Sequence, residues 1–369
     1  MNRSSTASRA WLASRWERLN GAARVAGIDL ARGLAVIGML TAHLIAIDVA
    51  FEWPEPDSWI AVVDGRSSIL FATLAGVSIG LVTGGATPLR GSPMMIARLR
   101  LAVRAGLLWI LGILLIETGV PVYVILPAYA IMFLVALAFV SFGARTLLVL
   151  AGALGVIMPF VQFLLDGLPV WSSVAGNDLS LALGWHYPFT VWIAFVLAGL
   201  GVARADIRRA RVQFRMLLWG SVLSLFGYGV GRGIEATEGA LRVDPHSSGL
   251  FEVIGSGGFA IAVIGGCLLL CRTAVTWVVL PLRAVGAMPL TAYTAQLVAW
   301  AVIATVVLGR AGDLGGFRAL EPFWPMTLIL VAACTVWALL IGRGPLEWVL
   351  DRVARLVVRS GGDRPRSRR

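Results

Sequence analysis

Residues 24–47 read RVAGIDLARGLAVIGMLTAHLIAI, and this stretch decides the fold. It is apolar over the length that a bilayer requires, roughly 20 helical residues. Three ionisable side chains interrupt it: Asp29, Arg32 and His43. A charge at membrane depth is costly unless it faces a protein interior or a wet cavity, so each marks a candidate functional position. At 1.5 Å per residue, His43 lies about 16 Å along the helix from Arg32, towards the opposite membrane face.

The rest of the chain repeats the apolar pattern. Of its 369 residues, 58% are hydrophobic and 14% charged, and the mean hydropathy is +0.85. A soluble domain carries far more charge. The net charge of +11 would fit nucleic acid, but the arginines sit in short loops between apolar runs, which is a topological signal. Nucleic acid is therefore not an expected partner; the lipid bilayer is. Lysine is absent while Ala, Gly and Arg abound, as in a GC-rich bacterial coding sequence. Cys267, Cys271 and Cys334 all lie in apolar runs without a CxxC or Cys/His grouping, so neither a disulfide nor a metal is expected.

The pattern predicts an all-α polytopic membrane protein with ten spans, near 27–48, 67–83, 99–116, 121–141, 146–165, 188–204, 213–231, 249–271, 288–308 and 325–342. Arginine-rich segments fall on one side when these spans alternate, and acidic or mixed loops fall on the other. The positive-inside bias then places both termini in the cytoplasm. Residues 272–288, broken by Pro281 and flanked by Pro289, read as a short re-entrant or interfacial piece. Trp11, Leu12, Trp16 and Leu19 are candidates for an interfacial helix ahead of the first span. No cleavable leader is read, and the first span is expected to stay as an anchor. The implied organisation is a cytoplasmic arm (1–24), a membrane domain (25–348) and a basic tail (349–369). Gly76, Gly80 and Gly84 form a small-residue stripe suited to close helix packing.

With this topology His43, His186 and His246 all project to the outer half, among Asp48, Asp57, Asp64 and Glu252. Histidine takes up a proton near neutral pH, and a carboxylate can orient it. An outer cleft holding His43 and a carboxylate such as Asp64 is equipped to deprotonate a hydroxyl or amine for acyl transfer. His246 and Glu252 are candidates for binding the acceptor, while His186, in GWHYP, reads as a loop residue. Asp64 and Arg66 are expected to pair. At the other end Asp29 and Arg32, three apart, share a helical face. They either anchor the helix or present an arginine to an anionic donor such as coenzyme A. Arg204 to Arg215 offer further positive charge for such a donor, but the positive-inside bias already accounts for them, and a solvated loop is the favoured reading. A proton-coupled transporter or flippase would use the same buried residues as a relay, and a non-catalytic scaffold would need none of them.

GIDLARGLAVIGMLTAH, SSILFATLAGVSIGL, LPAYAIMFLVAL, YPFTVWIAFVLAGLGVARADI, HSSGLFEVIGSGGFAIAVIGGCLLL and PLRAVGAMPLTAYTAQ resemble the bacterial YeiB-like membrane family, which is similar to heparan-alpha-glucosaminide N-acetyltransferase. The resemblance runs from about Arg24 to Trp348. Its more specific parts are the opening Asp-x-x-Arg-Gly and the late Pro-Leu-x-x-Val-Gly. Arg32 and His43 also match the spacing of arginine and histidine in related inner-membrane acyltransferases that decorate envelope glycans.

The resemblance implies a transmembrane acyltransferase in the cell membrane. It would take acyl groups from cytoplasmic acyl-CoA and pass them to an envelope glycan or glycolipid, with homo-oligomerisation left open. It assigns acyl transfer to His43, support to Arg32 and the donor end to Arg32 with Asp29. One departure stands out. The heparan enzyme keeps its active histidine in the outer loop after the first span, and here the loop from Leu44 to Val63 has none. Either His43 serves from the helix, or the chemistry is absent.

Overall fold

The computed structural model describes residues 16–17, 19–21, 24–49, 51–52 and 54–359. Among them every regular element is helical. In chain order the helices are α1 Ala26–Leu44, α2 Arg66–Val82, α3 Gly91–Ile116, α4 Leu126–Ala136, α5 Ala144–Asp166, α6 Val174–Leu183, α7 Phe189–Arg204 and α8 Ala210–Gly233. They continue as α9 Leu250–Leu270, α10 Val275–Val278, α11 Leu280–Ala287, α12 Pro289–Leu308, α13 Leu314–Ala319, α14 Phe323–Leu340 and α15 Pro345–Val357. A 3-10 helix, Pro56–Val63, precedes α2.

Each of the ten expected segments contains one of these helices. Seven, namely α1, α3, α5, α9, α12, α14 and the combined Pro56–Val82 run, are long and apolar enough to cross a bilayer. α4 and α7 are shorter apolar helices. The chain is thus a polytopic all-α membrane protein.

Burial sorts the helices into layers. The apolar windows of α1 and α2 are 72% buried, against 28% for α3, α5 and α14. A helix that is apolar all round and covered all round is a core helix, so α1 and α2 form the centre with α7 beside them. The outer helices turn Leu114, Leu164, Leu225, Val306 and Ile329 outward, the surface that lipid tails cover in place of water.

Small residues set the closest crossings. Gly76 and Gly80 of α2 meet α7 so closely that no Cβ fits, whereas Gly84 lies past the helix end at φ +113°. Gly33 of α1 abuts the Leu282 carbonyl of α11, and Gly286 of α11 abuts the Asp29 carbonyl of α1. The two more specific motifs of the sequence therefore pack directly on each other. Residues 272–288 form the short helices α10 and α11 rather than a span.

The segment expected at 121–141 is helical only over Leu126–Ala136. Pro121 has no backbone N–H to continue a ladder, and residues 120–125 are irregular. Non-helical backbone at membrane depth is tolerated where it is buried in protein or lines a cavity, and this stretch lines one. At the N-terminal end Trp16 stacks on Trp277 at 5.4 Å and Leu19 is buried. Trp11 and Leu12 lie outside the described residues.

Candidate functional site

All three histidines of the chain line one cavity of about 190 Å³, with Asp64, Tyr123 and Arg318 among its other walls. His43 comes from the last turn of α1, His186 from the turn before α7, and His246 from the turn before α9.

His43 is fixed from two sides. Its ring lies 6.5 Å from that of Trp300, which stacks on Phe317 at 4.9 Å. Arg318 of α13 donates Nε and Nη2 to the His43 backbone carbonyl at 3.1 and 3.0 Å. The last carbonyls of a helix lack intrahelical partners, so a half-buried guanidinium here ties down the end of α1 and with it the imidazole.

Asp64 closes the 3-10 helix ahead of α2, and its Oδ1 lies 3.3 Å from Nε2 of His246. Gly65 makes this approach possible: it adopts φ +66°, and a Cβ there would press on Pro245 and Glu252. The His246 turn is held from below. Glu252 accepts the backbone N–H groups of His246 at 2.7 Å and Ser248 at 2.6 Å, and the Ser247 hydroxyl at 3.2 Å. This is the logic of a capping box, with an acidic side chain in the first helical turn reaching back to free N–H groups. His246 and Ser248 take φ +61° and +53°, conformations that cost energy for residues with a Cβ and persist only when the surroundings enforce them.

His186 is sandwiched. Tyr123, from the irregular stretch, stacks on it at 3.6 Å, and His246 lies 5.5 Å away. Burial, with the charge of His246 adding to it, lowers the His186 pKa to about 4. His246 responds the other way. Burial alone would lower it, but the Asp64 hydrogen bond and the charges of Glu252 and Asp64 prevail and raise its pKa above the ordinary value of 6.5. Two neighbouring imidazoles are thereby driven apart in basicity, the arrangement that separates acid–base roles.

The opposite end of the bundle holds the arginines. Asp29 accepts Arg24 Nε at 2.5 Å and Arg32 Nη1 at 3.2 Å, and Arg32 Nη2 donates to Ser78 Oγ at 2.7 Å. The expected Asp29–Arg32 pair is therefore present, extended to α2. Arg32 also borders a second cavity of about 170 Å³, lined by Phe71, Leu74, Leu126, Tyr129 and Arg104 among others. Arg104, Arg343 and Arg355 share Asp351 of α15, at 2.5, 2.6 and 3.0 Å. This end keeps a positive excess even with its ion pairs formed.

The two cavities lie in line. α2 gives Ser67 and Ser68 to the histidine cavity and Phe71 and Leu74 to the arginine cavity; α12 gives Tyr293 to the first and Leu290 to the second. In the wall of the arginine cavity Phe71 stacks on Tyr129 at 5.5 Å.

Two expectations are corrected. Asp64 pairs with His246 and not with Arg66, whose guanidinium donates to the Ala61 carbonyl at 2.9 Å and lies 4.4 Å over the Tyr228 ring. Arg66 begins α2 and there finds a helix-end carbonyl and an aromatic face, which satisfy it without a carboxylate. Arg204 is not in a solvated loop. It is buried and donates to Gly80, Gly85, Thr83 and Val140, closing the C-terminal end of α2. Glu252 is placed beneath the site, its oxygens occupied by the His246 turn. Tyr123 and Arg318 were not singled out from the sequence, and His186 was read there as a loop residue on the outer side. All three lie in connecting segments on the histidine side, and that shared side was the available signal for His186.

A family model described as heparan-alpha-glucosaminide N-acetyltransferase, catalytic, matches residues 24–229, more than half of the chain. The chain belongs to this family. A second model, described as a protein of unknown function (DUF418), matches residues 197–356, in agreement with the YeiB-like resemblance. No curated protein matches the chain. The cavity draws on both matches: His43, Asp64 and His186 lie within the first, His246 and Arg318 within the second. Membership points to a function of membrane acyltransferase type. Among the described residues no group of three or more His, Cys, Asp or Glu is arranged to hold a metal ion.

Proposed function

We propose that the protein takes an acyl group from cytoplasmic acyl-CoA and passes it to a hydroxyl or amine of an envelope glycan or glycolipid outside the cell membrane. The observation that carries this reading is the pair of cavities in line, one faced by Arg32 and Arg104, the other by His43, His186 and His246. The positive-inside bias puts the arginine end in the cytoplasm. There its positive excess suits the phosphates of coenzyme A, which guanidinium groups bind through several hydrogen bonds.

His43 is the acyl-transfer residue in this reading. Its neutral imidazole attacks the thioester carbonyl, the C–S bond breaks, and the thiolate leaves towards the cytoplasm and takes a proton from water there. Arg32, oriented by Asp29, holds the donor. The domain layout follows: a cytoplasmic arm (1–24), the transmembrane acyltransferase body (25–348) and a basic cytoplasmic tail (349–369).

The test compares envelope lipids and glycans by mass spectrometry in wild type, a deletion strain, and the deletion carrying either the intact protein or His43→Ala. An acyl mass increment that vanishes on deletion and returns only with the intact protein supports the reading and identifies the acceptor. Restoration by both versions removes His43 from the chemistry. An unchanged acyl inventory in every strain overturns the reading.

A further inference from the structure

The geometry points to Asp64 and His246 as a second catalytic unit, an acid–base dyad that activates the acceptor while His43 carries the acyl group. The inference rests on the reading above and divides its labour between two histidines.

Four observations converge on the dyad. The carboxylate and imidazole are in contact at 3.3 Å through Nε2. A carboxylate on one ring nitrogen fixes the tautomer and leaves the other nitrogen to take a proton from a reactant. That other nitrogen, Nδ1, is buried without a hydrogen-bond partner, as is Nδ1 of His43 in the same cavity, whereas buried polar atoms in folded proteins are as a rule satisfied. Third, the turn is strained at His246 and Ser248 and braced by Glu252 from beneath and by Trp192 Nε1 on Ser248 Oγ at 3.3 Å. Strain held at such cost is characteristic of sites where a side chain must be aimed. Fourth, His246 and His43 line the same cavity, so a nucleophile activated at one meets an acyl group held at the other.

The step balances. The acceptor's O–H or N–H bond breaks, its proton passes to Nδ1 of His246, and its electron pair attacks the carbonyl carbon on His43. The C–N bond to His43 then breaks and restores the neutral imidazole. The imidazolium of His246, stabilised by Asp64, releases the proton to water on the outer side. The groups facing His246 are Asp64, Glu252, His186, Tyr187 and His43. Asp64 and Glu252 are the carboxylates among them, and both favour the protonated form; this fits a base that must hold a proton transiently.

The test uses purified full-length protein in lipid nanodiscs, with ¹⁴C-acetyl-CoA as donor and two acceptor probes. Glucosamine at neutral pH needs a base to lose its proton; hydroxylamine attacks acyl groups without one. The readout is the ratio of glucosamine to hydroxylamine acylation. His246→Gln is expected to lower this ratio about 100-fold, the usual scale of general-base assistance. Label on His43 should form as in wild type. Asp64→Asn should lower the ratio less and move its acid limb to lower pH. A ratio within threefold of wild type in His246→Gln overturns the dyad. Loss of both acylations with a wild-type ratio also overturns it, marking His246 as structural. The reading beneath is judged separately: glucosamine turnover that survives His43→Ala removes the carrier whatever the ratio shows, and no turnover by wild type overturns both.

Discussion

Oδ1 of Asp64 meets Nε2 of His246 at 3.3 Å, joining the entrance of α2 to the entrance of α9. Because Asp64 helps hold the His246 pKa above 6.5, the pH dependence has a definite sign. A general base works deprotonated, so activity rises with pH through the pKa of His246. Removing the carboxylate in Asp64→Asn lowers that pKa and shifts the rising limb towards acid, as a kcat/KM profile between pH 5 and 9 will show.

His186 gives a stability prediction, from a pKa displaced in the opposite direction. Its folded pKa, about 4, lies below the ordinary 6.5, so the unfolded chain binds the proton first. The associated stability is present above about pH 6.5 and is lost as pH falls towards 4. His186→Phe keeps an aromatic ring against Tyr123 and removes the titration. Its melting temperature should fall less than wild type between pH 7 and pH 5, followed by thermal denaturation in detergent.

Arg318 binds the end of α1 through the His43 carbonyl. Arg318→Met leaves that carbonyl without its donor at a cost of about 1–3 kcal/mol. It also loosens the imidazole. Thermal denaturation should register the loss, and kcat should fall more than KM rises.

The crossing of α1 and α11 leaves no space at Gly286. Gly286→Ala forces the helices apart, and overpacking of this kind costs about 1–3 kcal/mol. The yield of monodisperse protein in size-exclusion chromatography should drop, whereas alanine at Gly229, where a Cβ meets nothing, should be neutral.

The central helix was legible because charge inside an apolar run is rare and costly, so Asp29, Arg32 and His43 marked both ends of α1 directly from the sequence. The Asp29–Arg32 pairing followed from helical spacing alone. The convergence of His186 and His246 on His43 did not, since it depends on how α1, α7 and α9 meet, and residue spacing within one helix carries no such information. The unwound 120–125 stretch was also hidden: its residues are apolar enough to read as helix, and only the structure shows them lining the cavity. Arg204 was misread because the positive-inside bias counts arginines without separating a solvated side chain from one buried on five helix-end acceptors.

The most direct measurement is CoA release by purified protein in nanodiscs, given acetyl-CoA and glucosamine, for wild type and His43→Ala. Acyl transfer at the histidine cavity predicts glucosamine-dependent CoA release by wild type and a loss of at least about 100-fold in His43→Ala. Equal rates from the two proteins would contradict it.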